Sequence, residues 1–235
     1  GFLSEPRLNI DHRIPTPADT CGAGTSRFKH RKVANISRTT SIYGKEMRSL
    51  FGVDVKDGFL QMAFDFDSLE AKVEASFVYK YEGGKEYGYS LTAEKPNDCH
   101  SVLAASITEL LGRPFPRGTA KNVKYGCSYN AQAKRVAKTV GCDLDTGTII
   151  FDAFWAQAYP LKQLKEAMQK YWETTGQKKF LRGIDGRKLP IRSKGNVVNS
   201  QFQSCGVIAA KRAMVIHDVM LKQEGLSVDF FRDDW

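Results

Sequence analysis

The sequence predicts an α+β fold, and three observations predict it. Apolar residues recur every three or four positions in several segments, the period of helices with one buried face. Short β-prone runs flank an Asp185-Gly186 turn signal in "KFLRGIDGRKLPIRS", the pattern of a two-stranded hairpin. The run "GFLQMAFDFD" is apolar and ends in acids, as suits a buried strand that reaches a site. Hydrophobic residues make up 42% of the 235 positions, enough for a packed core and against wholesale disorder.

Taken in order, residues 1–40 are rich in Pro, Thr, Ser and basic side chains and read as extended or looped. "SLEAKVEASFVYKY" reads as a helix, with Leu69, Val73 and Phe77 four apart. "NDCHSVLAASITELLG" is another. Asn97 or Asp98 can cap it, Val102, Leu103, Ile107, Leu110 and Leu111 form its stripe, and Gly112 ends it. Past Pro114 and Pro116 a helix runs from about Arg117 to Tyr125, with a change at Gly126 and an amphipathic helix through Val140. "TGTIIFDAFWAQAYPLKQLKEAMQKYWETTG" is helical on both sides of Pro160, and the hairpin follows. "NVVNSQFQSCGVIAAKRAMVIHDVMLKQEG" reads as one long helix ending at Gly225, and "LSVDFF" as a strand.

The formal net charge is +9 and the pI about 9.3, which favours a polyanionic partner such as nucleic acid. A basic solvated surface accounts for the same charge. The five cysteines are scattered and lack CxxC spacing, against both a disulfide framework and a zinc site. They suit a reducing compartment, and the expected location is the cytoplasm. No apolar run is long enough to span a membrane and no signal peptide is read. The chain begins at Gly1 and ends after "FFRDDW", which raises the expectation of a piece of something longer.

Arg117, Lys121, Tyr125 and Tyr129 are each four apart in "RGTAKNVKYGCSY". On a helix the first three share a face, so one stripe carries guanidinium, ammonium and an aromatic ring. That suits a triphosphate, with cations on the phosphates and a ring against sugar or base. Spacing alone favours a solvated basic face with Tyr125 half-buried. In "DFDSLEAK" Asp65 ends an apolar strand, where a hard divalent cation is held, and Glu70 follows one turn on. Read in isolation, Asp65 or Asp67 caps the next helix. His100, Arg192, Asn199 and Gln203 add a histidine near a helix start, a cation and two amides at i and i+4. Such amides can donate to minor-groove acceptors or lie on an exposed polar face.

In this order the segments resemble the polymerase domain of family A DNA polymerases, and within it the replicative enzymes of T7-like phages. "DFDSLEAK" resembles motif A (D-x-S-x-x-E-x-R), and "RGTAKNVKYGCSY" resembles motif B, the O helix (R-x-x-x-K-x-x-x-[YF]-G-x-x-Y). "GTSRFKH", "SIYGKEMRSLF", "DCHS", "GIDGRKLPIRS" and "NSQFQSCG" resemble further family segments, so the likeness covers nearly the whole chain. It implies a right-hand architecture without a thumb. Residues 1–96 would form the N-terminal palm portion with motif A, 97–180 the fingers with the O helix, and 181–235 the palm return hairpin, the Q helix and a strand leading towards motif C.

The resemblance implies DNA-templated DNA synthesis, with nucleotidyl transfer from dNTP to a primer 3′-OH. Asp65 would bind both Mg²⁺ ions, with the Phe66 carbonyl as a further ligand. Arg117, Lys121 and His100 would hold the dNTP triphosphate, and Lys121 could protonate the departing pyrophosphate. Tyr125 would stack at the sugar and base, Glu70 would exclude a 2′-OH, and Tyr129 would hold the templating position. Arg27, Arg192, Asn199 and Gln203 would contact primer-template DNA. Departures from the pattern include Lys72 for the usual Arg, Asn130 where Gly is usual, and Lys29.

A family A site also needs a second Asp, on the motif C hairpin. Asp218 is the tempting candidate, but the helical pattern is unbroken from Phe202 to Leu221 and Lys222 lies at i+4. The expectation is that Asp218 lies on a helix surface, that Asp233 and Asp234 do not substitute, and that motif C is carried by a second polypeptide or, alternatively, by the rest of a longer chain. The alternative is a non-catalytic DNA-binding or regulatory remnant. A single-subunit RNA polymerase shares motifs A and B, but Glu70 and the Gly126 that follows Tyr125 set this chain apart from it.

Overall fold

The computed structural model describes residues 17–31, 36–52, 65–174 and 180–226. Most of the run predicted as a strand before Asp65, nearly all of "LSVDFF", and Asp233 and Asp234 lie outside the described residues. By contact the chain divides into two units, Gly1–Asp67 with Ala210–Trp235, and Ser68–Ala209.

In the first unit β1 (Ala18–Asp19) pairs antiparallel with β2 (Lys29–His30), and Arg31 forms an ion pair with Asp19 across the turn. Helix α1 (Gly44–Ser49) is anchored by Arg48, whose Nε donates to the Ser37 carbonyl at 2.9 Å.

The second unit carries α2 (Leu69–Val78), α3 (Gly84–Thr92), α4 (Cys99–Leu111), α5 (Arg117–Ser128), α6 (Ala133–Val140), α7 (Leu144–Gln157) and α8 (Tyr159–Thr174). Next come the hairpin β3 (Phe180–Arg182) and β4 (Lys188–Pro190), a short 3-10 turn and α9 (Val197–Gln223), which enters the first unit at Ala210. None of the described helices is long and apolar enough to cross a membrane.

Val78, Leu103, Ile107, Val123, Ile150 and Phe154 form the centre of the core, each 1% exposed or less. Two glycines let helices approach closely. A Cβ at Gly147 would sit 2.5 Å from that of Ala137, where α6 meets α7, and one at Gly84 would strike the Val78 carbonyl in the turn from α2 to α3. In the hairpin Leu181 faces Leu189 and Gly186 takes a positive φ of 80°, as the turn signal required.

Several expectations shift in detail. Asp98, not Asn97, caps α4, and its carboxylate accepts from the His100 and Ser101 amides. Gly112 ends that helix at φ 61°. Val102 and Leu110 are 42% and 57% exposed, so the buried stripe of α4 is Leu103, Ala104 and Ile107. Neither Asp65 nor Asp67 caps α2; that position is Ser68. Helix α5 continues through Gly126, and the turn comes at Asn130, a non-glycine residue at φ 71°. Pro160 stands in the first turn of α8, where a proline needs no amide donor, and the segment is helical on both sides of it as expected.

Candidate functional site

Helix α5 has two faces with different duties. Ala120, Val123 and Cys127, each 1% exposed or less, hold it to the core. Arg117, Lys121 and Tyr125 line a cavity of about 190 Å³, joined by Tyr129 from the end of the helix. Glu70 from α2, His100 from α4 and Asn199 from α9 line the same cavity. The fold therefore brings together seven of the expected site residues from four helices. Arg192 and Gln203 share the unit but do not line the cavity. Arg27, Asp65 and Phe66 belong to the first unit, and all three are exposed.

The cavity wall is wired by hydrogen bonds. Arg117 donates from Nη2 to Asp98 Oδ1 at 2.7 Å and from Nε to Asp98 Oδ2 at 3.2 Å. Burial alone would raise the Asp98 carboxyl, but the bonds from Arg117 and Ser101 outweigh it and hold the group well below the usual range. Tyr129 donates its hydroxyl to Glu70 at 2.7 Å. The His100 and Tyr125 rings lie 5.9 Å apart, and Lys121 Nζ sits 6.0 Å from the Tyr125 ring centre. Burial, then the charges of Lys124 and Arg117, push His100 down to about 4, so its imidazole is neutral at pH 7.

Spacing did not single out Lys124 and Glu74, which line the same cavity, or Tyr87, which bonds to Glu74. Lys124 is 5% exposed and its Nζ lies 2.9 Å from Glu74, which is 4% exposed. The Tyr87 hydroxyl donates to the other Glu74 oxygen at 2.6 Å. Burial would lower the Lys124 pKa, but the charge and hydrogen bond of Glu74 raise it, so the ammonium stays charged. The signal was present: Lys124 interrupts the apolar stripe of α5 and Glu74 that of α2, and a buried charge needs an opposite partner.

Among the described residues no group of three or more His, Cys, Asp or Glu is placed to hold a metal ion. The Asp65 carboxylate and the Phe66 carbonyl are hard oxygen donors of the class Mg²⁺ takes, so they fit one part of such a site and no more.

The family model for DNA polymerase family A matches residues 4–231. The chain belongs to DNA polymerase family A. Among curated family A relatives, the DNA-directed DNA polymerases of Escherichia phage T7 and Enterobacteria phage T3 are 25% and 26% identical, each over 92% of this chain. The DNA polymerase I of Aquifex aeolicus is 23% identical over 87% of it. The chain spans about a third of these relatives, 32% of each phage enzyme and 35% of the Aquifex one. A solved structure of the POL domain of Pol1 from M. smegmatis, in complex with DNA primer-template and dNTP, superposes with a TM-score of 0.69. It is 19% identical, and the match covers 96% of this chain and 40% of that one. The fold is thus part of the family A right-hand architecture, mostly helical with two small antiparallel strand pairs among the described residues.

Proposed function

We propose that this family A chain carries the nucleotide-binding face of a DNA-templated DNA polymerase and works on primer-template DNA with dNTPs. The observation that carries the reading is the convergence of Arg117, Lys121, Tyr125, His100 and Glu70 on one cavity. The phage enzymes similar to it are named DNA-directed DNA polymerases, and the similar POL domain was solved with primer-template and dNTP.

In this reading Arg117 and Lys121 pair with triphosphate oxygens and neutral His100 donates a hydrogen bond without adding charge. Tyr125 packs against sugar and base, and Glu70 occupies the space a 2′-OH would need. Tyr129 meets the templating position, while Arg27, Arg192, Asn199 and Gln203 contact the duplex. The primer 3′-OH releases its proton to solvent as its oxygen bonds to the α-phosphorus, the bond from that phosphorus to the bridging β-phosphate oxygen breaks, and Lys121 protonates the departing pyrophosphate. Asp65 and the Phe66 carbonyl would hold the Mg²⁺ pair, whose chemistry when bound is activation of the 3′-OH and stabilisation of the leaving group. The division into palm portion 1–96, fingers 97–180 and palm return 181–235, and action in the cytoplasm, belong to the same proposal.

The second catalytic carboxylate is proposed to come from a second polypeptide. Asp218 lies on α9 with its carboxylate 2.8 Å from Lys222 Nζ, the pairing of a helix surface. Primer extension tests the whole reading. Incorporation is expected when this chain is mixed with a polypeptide bearing motif C. Robust incorporation by this chain alone would remove the need for that partner. Primer-template binding with no incorporation from the mixture would leave a DNA-binding remnant as the correct reading.

A further inference from the structure

Two polar links join α2 to α5. One is exposed, Tyr129 to Glu70; the other, Lys124 to Glu74, is buried one helical turn further along α2. Replacing a buried ion pair by apolar residues of similar volume is often neutral or stabilising, so stability alone is a weak reason for two charges in the core. Their location does suggest a use. Lys124 and Glu74 both line the cavity, Lys124 Nζ sits 5.6 Å from the centre of the Tyr125 ring, and Tyr87 on α3 fixes the far oxygen of Glu74.

We infer that Lys124 and Glu74 are positioning residues for the nucleotide site: the buried pair ties α5 to α2 at one point, so that Tyr125 and Glu70 face one ligand, and places a fixed cation beneath the ring. The inference rests on the nucleotide-binding reading of the cavity. A charge-assisted hydrogen bond is short and directional, so the pair fixes the distance between the two helices at that point. The same cation is, after burial, the largest influence on His100, which Arg117 and Lys121 face from α5 and Asp98 and Cys99 from its own helix.

The test is the double variant Glu74→Leu/Lys124→Met, which removes both charges and leaves neither unpaired. Two quantities are read on the full chain: the dissociation constant for a fluorescent dNTP, and the His100 titration midpoint by NMR. The expected results are a folded protein, dNTP affinity reduced about ten-fold, and a His100 midpoint raised by about one unit. Lys124→Arg, which keeps the charge and its partner, is expected to retain binding. Glu74→Gln/Lys124→Gln, which also removes both charges and leaves two amides able to hydrogen-bond each other, gives the same comparison if the Leu/Met variant does not fold. Affinity within about three-fold of the native chain in the folded variant would overturn the positioning role. Should the native chain itself bind no dNTP, the proposed function fails, and the His100 midpoint then decides: a rise supports the fixed cation beneath the site, no change overturns it.

Discussion

Arg117 and Asp98 meet through two hydrogen bonds, at 2.7 and 3.2 Å, while the same carboxylate caps α4. One side chain thus closes a helix end and restrains a cation of the candidate site. Asp98→Ala is expected to lower stability by about 1–2 kcal/mol, the range for a lost N-cap. The Asp98 carboxyl titrates below the ordinary aspartate range, so its stabilisation is complete above about pH 4 and disappears as the pH falls through the native value. Denaturation midpoints of the native chain and the variant should therefore differ at pH 7 and converge at acid pH. A gap that stays constant down to pH 2 would contradict the pairing.

His100 responds in the other sense. Its midpoint is pushed down to about 4 from 6.5, so the unfolded chain binds a proton that the native chain refuses between those values. Stability rises with pH across that window. His100→Gln removes the effect, and is expected to lose about 1–2 kcal/mol less than the native chain when the pH is lowered from 7 to 5. Urea unfolding at the two pH values measures it.

These two groups show what the sequence discloses and what it withholds. Arg117, Lys121 and Tyr125 are legible because helix period alone puts them on one face, and the cap at Asp98 and stop at Gly112 are local chemistry. Asp218 is legible for the same reason, since no turn residue breaks its helix. The Arg117–Asp98 clamp joins residues 19 apart and Lys124–Glu74 residues 50 apart, and no local pattern encodes which helices meet. The two-glycine device at Gly84 and Gly147 is hidden likewise, because close approach is a property of the neighbour. The turn misplaced at Gly126 came from reading glycine as punctuation. There the helix continues, and Asn130 takes the left-handed conformation while its Oδ1 accepts from Lys165 at 3.1 Å.

Glu70 touches Tyr129 and lines the cavity where the sugar is proposed to sit. Glu70→Ala opens that space and removes one acceptor of the Tyr129 hydroxyl. The expected outcome is an increase of about ten-fold or more in ribonucleotide use relative to dNTP, read as a ratio of kcat/KM values in the complemented assay. An unchanged ratio would remove Glu70 from sugar discrimination.

A net charge of +9 predicts that primer-template binding weakens steeply with salt. Arg192 is exposed and its proposed contact is with the duplex. Arg192→Ala should weaken binding uniformly across sequences and reduce the slope of log K against log salt by about one. Fluorescence anisotropy over a salt series measures both, and an unaltered slope would take Arg192 off the phosphate backbone.

Asp218 gives the sharpest contrast with Asp65. Its carboxylate is spent on Lys222 at 2.8 Å, four residues along the same helix, and both side chains reach solvent. An exposed i,i+4 pair contributes about 0.3–0.5 kcal/mol. Asp218→Ala should therefore change stability by no more than that and leave complemented primer extension at the native rate. Asp65→Ala should abolish extension while leaving the fold intact, because the residue is exposed and caps no helix. Loss of extension in Asp218→Ala would place a metal ligand on α9 and make a second polypeptide unnecessary.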